Sequence, residues 1–372
     1  MKQILVTGGA GFIGSHTVDL LLHKGYEVRI LDSLQERVHP YGWPRHLPDD
    51  VEHRQGDVRD ANTFLSALEG IDGVVHLAAY QDYMPDFSTF YEVNTVSTAL
   101  LFELVVAHHL DVQKVVFASS QSVYGEGKYE CEQCGVFYPD YRSEHQLSLG
   151  QWEILCPDCG AEGTPALIDE TVVKPHTAYG ISKYALELTA RNLGGKYDIP
   201  TVCMRYSIVQ GPRNSVYNAY SGIARIFTLR LLNDRPPICY EDGHQLRDYV
   251  YVGDVARANV LALEDERADN RAFNVAGQEG TTVLKVAHRL AKICGKDIEP
   301  EVSGEYRFGD TRHTVSTAQS LRELDWSAEV GHEEFLTQYV EWIREQPNLQ
   351  DHYGQAEQTM RSAGVIRRRT SS

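Results

Sequence analysis

The sequence predicts a doubly wound α/β fold, in which helices cover both faces of a parallel sheet. Three observations lead to this prediction. A buried-strand run from Gln3 to Thr7 is followed by a glycine-rich turn over 8–14 and a helical pattern over 15–24. The next apolar strand ends in an acid, Asp32. Beyond it, strand-like and helix-like patterns continue to alternate, which is the order that builds a parallel sheet.

The composition indicates a globular protein. The chain has 372 residues, 42% of them hydrophobic and 23% charged, which suits one large or two coupled domains. No apolar run approaches the roughly 20 residues that cross a bilayer, and no signal-peptide pattern is present, so we expect a cytoplasmic protein without a membrane partner. The net charge of −17 argues against a nucleic-acid partner. Arg367, Arg368 and Arg369 are expected to lie in a frayed tail over 348–372.

The first turn has the composition of a phosphate-binding loop. Its glycines let the backbone turn tightly and approach a pyrophosphate, whose charge is favoured by the helix N-terminus. Asp32 lies eighteen residues beyond Gly14, where a carboxylate can accept hydrogen bonds from adenosine ribose hydroxyls. The same carboxylate would repel the additional phosphate of NADP. These features predict an NAD site.

The following segments supply the remaining strands and helices of the predicted sheet. Strands are expected over 51–55, 73–79 and 114–120, and helices over 61–68 and 92–108. A ligand is expected at the carboxyl ends of the strands. His76 lies inside an apolar strand, so we expect a core histidine rather than a ligand.

Tyr179 and Lys183 are a candidate catalytic pair. They are four residues apart in a helical pattern that follows Pro175, so both face the same side of the helix. A nearby ammonium favours the phenolate and would lower the tyrosine pKa, which suits a base that works near neutral pH.

Together these motifs resemble the extended short-chain dehydrogenase/reductase family of nucleotide-sugar enzymes. The residues that carry the resemblance include Asn94, Val123-Tyr124-Gly125, the stretch from Arg247 to Val252, Asp254, and Arg307 with Gly309-Asp310. The resemblance implies a catalytic triad of Ser120, Tyr179 and Lys183. It also implies that NAD is tightly bound by Tyr179 and Lys183 together with Gly8, Gly11, Phe12, Ile13, Gly14, Asp32, Asp57, Val58, Leu77, Ala78 and Ala79.

The resemblance further implies a nucleotide-sugar substrate. Arg247 and Arg307 would hold its diphosphate, a role that suits the guanidinium fork. The other expected substrate contacts are Tyr80, Gln121, Ser122 and Arg213. Ile208 stands where most relatives have an asparagine, a departure that affects the substrate pose.

The same resemblance predicts how the chain is divided. An NAD-binding domain is expected over 1–129, 161–206 and about 248–277. A metal-binding insertion is expected over 130–160, and a smaller substrate domain over 207–247 and 278–347. A homodimer is the family expectation.

The residues after Ser120 favour epimerisation over elimination. Related dehydratases and decarboxylases have a carboxylate directly or two residues after the catalytic Ser or Thr, whereas this chain has Gln121 and Ser122. Without that carboxylate, elimination is disfavoured. We expect epimerisation at C4 through a transient 4-keto sugar. The alternatives are a 4-ketoreductase, a UDP-hexose or UDP-uronate epimerase, and a non-catalytic NAD-binding sensor.

Four cysteines in two Cys-x-x-Cys pairs predict a metal site. Cys131 and Cys134 are separated by 21 residues from Cys156 and Cys159. This spacing is typical of a closed Cys₄ site, with structural zinc as first choice and iron as runner-up. The insertion resembles one in dTDP-L-rhamnose 4-epimerases, which makes a dTDP-deoxysugar the first expected substrate. We expect the insertion to form a lid or a subunit contact beside the sugar site.

Overall fold

A computed structural model describes the chain except for residues 83–84, 218–221, 348, 352 and 371–372. Its strands are β1 (Gln3–Thr7), β2 (Glu27–Asp32), β3 (Glu52–Gln55), β4 (Gly73–His76), β5 (Lys114–Ser120), β6 (Lys128–Cys131), β7 (Gly135–Phe137), β8 (Thr164–Ala166), β9 (Thr201–Tyr206), β10 (Ile208–Gln210), β11 (Ile238–Cys239), β12 (Leu246–Tyr251), β13 (Arg271–Val275), β14 (Gly280–Thr282), β15 (Glu301–Val302), β16 (Tyr306–Arg307) and β17 (Ile366–Arg367). Its α-helices are α1 (Phe12–His23), α2 (Ala61–Leu68), α3 (Phe87–Tyr91), α4 (Ser97–Ala107), α5 (Glu144–Ser148), α6 (Ala178–Lys196), α7 (Ile223–Leu232), α8 (Val252–Glu264), α9 (Val283–Cys294), α10 (Gln319–Arg322), α11 (His332–Arg344) and α12 (Tyr353–Ser362).

The main sheet has seven parallel strands in the order β3, β2, β1, β4, β5, β9, β13. Ile4 of β1 pairs with Val28 of β2 on one side and with Gly73 of β4 on the other. The strand order therefore reverses between β1 and β4, which opens a crevice at the carboxyl edge of the sheet. This confirms the predicted doubly wound fold and fixes where a ligand enters.

Two apolar cores cover the two faces of this sheet. Helices α1 and α8 pack on one face, and α2, α4 and α6 pack on the other. A π-helical turn, Glu92–Val96, joins α3 to α4, so the helix predicted over 92–108 begins earlier, at Phe87. The joined helix has 21 residues and is long and apolar enough to cross a membrane. Half of its most apolar 18-residue stretch is buried inside the protein, as in a core helix.

A third core, formed by α7, α9 and α11, lies in the C-terminal half. It packs against Tyr249 of β12, within a three-stranded sheet of β10, β12 and β14. The cysteine insertion has its own sheet, in which β6 pairs with β7 and β8, over a small cluster around Tyr129 and Phe137. The smaller C-terminal unit and the insertion are therefore both present as predicted.

The expectation of a frayed tail is wrong. The segment forms α12, and β17 then pairs with β16 through Arg367 and Tyr306. The tail also binds the insertion, because Arg367 lies 2.5 Å from the carboxylate of Glu144 and Thr370 donates its N–H to the carbonyl of Ser148. The sequence did not indicate this ordered tail because the residues that it pairs with lie far away along the chain.

Candidate active site

The glycine turn forms the floor of a narrow cleft. Gly8 has a φ of +67°, and a Cβ there would lie 2.9 Å from the backbone nitrogen of Ala78. A Cβ on Gly14 would lie 2.1 Å from the carbonyl oxygen of Gly8. Helix α1 begins directly after Gly11 without a side-chain cap, so its first N–H groups are left for a ligand. The turn therefore leaves room for a pyrophosphate against the helix N-terminus.

Asp32 lies at the carboxyl end of β2, on the wall of the cleft. Its carboxylate accepts hydrogen bonds from the backbone N–H groups of Ala10, at 3.1 Å, and Leu34, at 2.9 Å. Burial raises the pKa of Asp32, and these two hydrogen bonds act in the opposite direction. The remaining lone pairs of the carboxylate can accept hydrogen bonds from two ribose hydroxyls.

Two adjacent cavities lie along the carboxyl edge of the sheet. The smaller, of about 160 Å³, is lined by Gly8, Gly11, Asp32, Asp57, Val58, Leu77, Ala78 and Ala79, among others. The larger, of about 1170 Å³, is lined by Phe12, Ile13, Tyr80, Ser120, Gln121, Ser122, Tyr179 and Arg213, among others. Gln35, Val38, His39 and Ala79 line both. A dinucleotide can therefore extend from Asp32 to Tyr179.

Ser120 and Tyr179 come together because β5 ends where α6 begins. The hydroxyl of Thr177 caps α6 by accepting the N–H of Gly180 at 3.0 Å. A Cβ on Gly180 would lie 2.4 Å from the carbonyl of Ser122, so this glycine allows the helix to approach the turn after Ser120. Ser120 hydrogen-bonds to Tyr179, and Lys183 follows one helical turn later.

Burial changes the protonation of this pair from what the spacing alone suggests. It raises the pKa of Tyr179 to about 12, partly offset by the hydrogen bond with Ser120. It lowers the pKa of Lys183 to about 7, and the ammonium donates to the carbonyl of Ala118 at 2.7 Å. The expectation that Lys183 lowers the tyrosine pKa is therefore wrong, since desolvation of the phenol outweighs the effect of a lysine nitrogen that lies 5.9 Å from the ring centre.

The predicted substrate residues fall into two groups. Tyr80 lies on the large cavity, where its hydroxyl donates to Asp86, and Arg213 pairs with Asp19 at 2.7 Å. Arg247 instead donates to the main-chain carbonyls of residues 246, 311 and 312, and Arg307 stacks 4.8 Å over the ring of Tyr240. Neither of these two arginines lines either cavity.

Several residues of the site have positions or contacts that the sequence did not indicate, although Asn94 is among the residues that carry the family resemblance. Asn94, in the π-helical turn, holds the Tyr80 backbone by accepting its N–H at 2.9 Å and donating to its carbonyl at 3.1 Å. The segment 35–46 covers the large cavity, although nothing in its sequence indicates this. Gln210 and Arg225 also border the cavity. The sequence around Arg225 has an ordinary amphipathic pattern, which does not indicate a ligand contact. Only the tertiary structure brings these residues to the site.

The four cysteines of the insertion converge. The sulfur atoms of Cys131, Cys134, Cys156 and Cys159 all lie within 4.8 Å of one another. Backbone N–H groups of Gln133 and Cys134 lower the pKa of Cys131 to about 7, as expected of a knuckle that favours thiolate. Gly135 has a φ of +83° and follows the first pair, and Gly160 has a φ of +74° and follows the second. Four cysteine sulfur atoms arranged in this way match a tetrahedral metal site.

A buried charge cluster ties the insertion to the C-terminal unit. Arg142 of the insertion donates to Glu241 at 2.9 Å, and Arg312 donates to the same carboxylate at 2.9 Å. Glu153 of the insertion contacts Arg312 at 2.5 Å. Because both arginines are buried and paired, loss of either partner would leave an uncompensated charge. The insertion is thus anchored to the C-terminal unit by charge as well as by apolar packing.

Comparison with known proteins gives a consistent match. The model of the NAD dependent epimerase/dehydratase family matches residues 4–144 and 157–276, leaving unmatched a stretch inside the insertion. A dTDP-L-rhamnose 4-epimerase of Burkholderia thailandensis is 32% identical over 93% of this chain and 96% of its own. The crystal structure of UDP-glucose 4-epimerase of Thermotoga maritima with UDP-glucose has a TM-score of 0.74 and 30% identity, covering 92% of this chain and 98% of its own. A UDP-glucose 4-epimerase of Thermus thermophilus in complex with NAD has a TM-score of 0.72 and 29% identity, covering 92% and 99%.

Proposed function

The chain belongs to the NAD dependent epimerase/dehydratase family, and from this membership we propose that it is an NAD-dependent nucleotide-sugar 4-epimerase. The observation that supports the proposal is the position of Ser120 and Tyr179 on a large cavity that lies beside the dinucleotide cleft and shares four lining residues with it. The names of the relatives, which are epimerases of dTDP- and UDP-sugars, support the same reaction.

The residues of the cleft fit NAD. The close packing of Gly8 and Gly14 leaves space that any side chain would fill, and Asp32 keeps acceptor capacity for ribose hydroxyls. The charge of Asp32 disfavours NADP, which makes a net ketoreductase with an exchangeable phosphorylated cofactor the weaker alternative. When bound, NAD would supply the hydride acceptor. Gly8, Gly11, Asp32, Asp57, Val58 and the run from Leu77 to Ala79 are the residues proposed to hold it.

Tyr179 is proposed as the base that takes the proton of the sugar C4 hydroxyl, with Ser120 as hydrogen-bond partner of the reacting oxygen. Because burial disfavours a charge on Tyr179 and on Lys183, the phenolate and ammonium would form together as a pair. After the 4-keto sugar turns over, return of the hydride to the opposite face of C4 and of the proton from Tyr179 to the same oxygen would complete the epimerisation. Gln121 and Ser122 offer no carboxylate to drive elimination.

A dTDP-deoxysugar is the first proposed substrate, with UDP-hexoses and UDP-uronates as alternatives. The relative from Burkholderia thailandensis supports the first, and the enzyme from Thermotoga maritima the second. Arg213, Tyr80, Gln121 and Ser122 are proposed sugar or phosphate contacts because they border the cavity. The roles of Arg247 and Arg307 in holding the diphosphate remain predictions.

We propose that the four cysteines hold a structural zinc ion. Their convergence within 4.8 Å supports a Cys₄ site, with iron as the alternative. Four protein ligands would leave no open position for substrate, so the proposed role is to hold the insertion against the C-terminal unit. The homodimer, the cytoplasmic location and the domain boundaries given above are further proposals.

One experiment tests the reaction. The purified protein, assayed for NAD and metal, is incubated without added cofactor with dTDP-, UDP- and GDP-sugars in D₂O. We expect a C4 epimer with no deuterium on carbon and no free NADH, since the hydride returns directly. Failure to interconvert any C4 pair would contradict the proposal.

A further inference from the structure

Arg225 differs from the other buried arginines in its surroundings. Six arginines are buried in the described part of the chain: Arg29, Arg142, Arg205, Arg225, Arg230 and Arg312. Five of them have a carboxylate within 4.0 Å, whereas Arg225 has none. The residues outside the description include no aspartate or glutamate. The positive charge of Arg225 therefore has no side-chain counter-ion.

The guanidinium of Arg225 is fixed at the wall of the large cavity. The side chain is 2% exposed, and its Nη1 donates to the Asn214 side chain at 2.9 Å and to the Ser215 carbonyl at 2.6 Å. Its Nε has no partner among the described residues. Gly222 has a φ of +93°, and a Cβ there would lie 2.9 Å from Nη2, so this glycine leaves space for the guanidinium.

Two further groups on the same cavity point to a polar ligand. Gln210 is 1% exposed, and neither atom of its amide has a partner among the described residues. Helix α7, ten residues long, begins at Ile223 after an N-cap glycine, Gly222, and within the described part of the chain no side chain caps its N-terminal N–H groups. A buried amide, a buried guanidinium and a helix N-terminus thus border one cavity.

A charge buried without a partner destabilises the folded protein unless a ligand supplies the opposite charge. Burial lowers the pKa of Arg225 to about 10, because loss of hydration disfavours the charged form of the guanidinium. Glu345, an acid on the same cavity wall, lies beyond ion-pair distance from the guanidinium. An anionic ligand would satisfy Arg225, Gln210 and the helix N-terminus together.

We infer that Arg225 binds the diphosphate of the nucleotide sugar, an inference that rests on the proposed function. A diphosphate is common to all substrates of the proposed class, and its oxygens match both the guanidinium fork and the N–H groups of a helix start. Arg225 adds a contact that the motifs in the sequence did not indicate.

Calorimetric titration of the NAD-loaded protein with dTDP and UDP, and with thymidine and uridine for comparison, tests this assignment. We expect Arg225→Gln to weaken binding of the nucleoside diphosphate by about 30-fold or more, with nucleoside affinity unchanged. The Tm without ligand should be equal to or above that of the wild type, because an unpaired buried charge is removed. Arg225→Lys keeps the charge but not the guanidinium fork, so its affinity for the nucleoside diphosphate should lie between those of the wild type and Arg225→Gln.

Arg230→Gln is the matched control, since Arg230 is buried on the same helix but pairs with Asp351. It should leave diphosphate affinity unchanged. The inference is overturned if the wild type binds neither diphosphate, if Arg225→Gln binds as the wild type does, or if nucleoside affinity falls equally. A loss confined to UDP-glucuronate, with UDP unchanged, would also overturn it by assigning Arg225 to a sugar carboxylate.

The inference and the proposed reaction can fail separately. If no nucleotide sugar turns over but Arg225→Gln loses the diphosphate, the reaction fails and the anion site stands. If C4 epimers interconvert and Arg225→Gln binds the diphosphate normally, the reaction stands and the anion site fails.

Discussion

At the scale of single residues, the active site depends on groups whose charge is controlled by burial. Lys183 is buried and Tyr179 is half-buried at the wall of the large cavity, and neither keeps its ordinary pKa. The spacing of four residues predicted that they share a helix face, but the loss of hydration decides their protonation. A base of this kind becomes competent only when phenolate and ammonium form together.

Tyr179→Phe removes the proposed base while keeping the ring. We expect kcat to fall by about 10²- to 10⁴-fold, the usual contribution of a general base, with NAD content unchanged. Tyr184→Phe, on the same helix but packed near Val123 and Ile168, is the control and should keep full activity. Wild-type turnover in the Tyr179 variant would remove this residue from the mechanism.

His76 is a core histidine, as its apolar strand predicted. It contacts Thr7 at 2.9 Å and Ser97 at 3.0 Å, and burial lowers its pKa to about 3. Between this value and the unfolded value of about 6.5, the unfolded state binds one more proton, so stability rises with pH across that window.

His76→Gln should therefore flatten the pH dependence of stability. The slope of the unfolding free energy between pH 5.5 and 6.5 should fall by up to about 1.4 kcal/mol per pH unit, measured by urea denaturation. His108→Gln, at an exposed helix end, should keep the wild-type slope. An unchanged slope in the His76 variant would mean that this histidine is protonated in the fold.

At the scale of elements, the insertion and the C-terminal tail stabilise each other's position. The described part of the insertion has only a small apolar cluster, so the buried charge cluster and the proposed metal site would take the stabilising role that a core has elsewhere. Arg142 and Glu153 carry the insertion's contacts to Arg312 and Glu241, and the tail closes over helix α5.

Loss of the metal should release the insertion. Cys131→Ser, or a strong chelator, is expected to lower the free energy of unfolding by about 3 kcal/mol or more, because the buried charge cluster loses its alignment. Metal content by mass spectrometry and Tm measure this. Cys294→Ser, in the core of the C-terminal unit, should keep the metal. Full stability without metal would leave the cysteines without a structural role.

The pairing of tail and insertion can be tested by charge reversal. Arg367→Glu should weaken the contact with Glu144 by about 0.5 kcal/mol, since both side chains are partly exposed, and should speed proteolysis of the last residues. Adding Glu144→Arg should restore protection. If the double variant is no better than the single one, the two side chains do not pair in solution.

At the scale of the whole molecule, the larger cavity is lined by residues that follow strands of the main sheet and by residues of the C-terminal unit. A ligand in the cleft would touch the end of β2 and the segments that follow β1, β3 and β4, so its binding energy would stabilise the folded state as a whole. The carboxylate of Asp32 should make this stabilisation specific for NAD.

NAD added to protein stripped of its cofactor should raise the free energy of unfolding by about 2.7 kcal/mol at 100 times its Kd. The same concentration of NADP should raise it much less, because its additional phosphate meets Asp32. Thermal denaturation measures both, and Asp32→Ser should narrow the difference. Equal stabilisation by the two cofactors would exclude the predicted preference.

The sequence by itself determined the fold class, the cofactor cleft, the pairing of Tyr179 with Lys183 and the Cys₄ cluster. Each follows from residues close together in the chain or from apolar periodicity. At a position such as Gly8, which has a positive φ and no room for a Cβ, the backbone conformation allows few residue types other than glycine.

Only the tertiary structure decided what depends on distant partners. It turned Arg247 towards main-chain carbonyls, placed the expected frayed tail against the insertion, and left Arg225 buried with no carboxylate partner among the described residues. Burial and charge pairing are properties of the packed molecule, because they depend on which groups from remote segments replace water around a side chain.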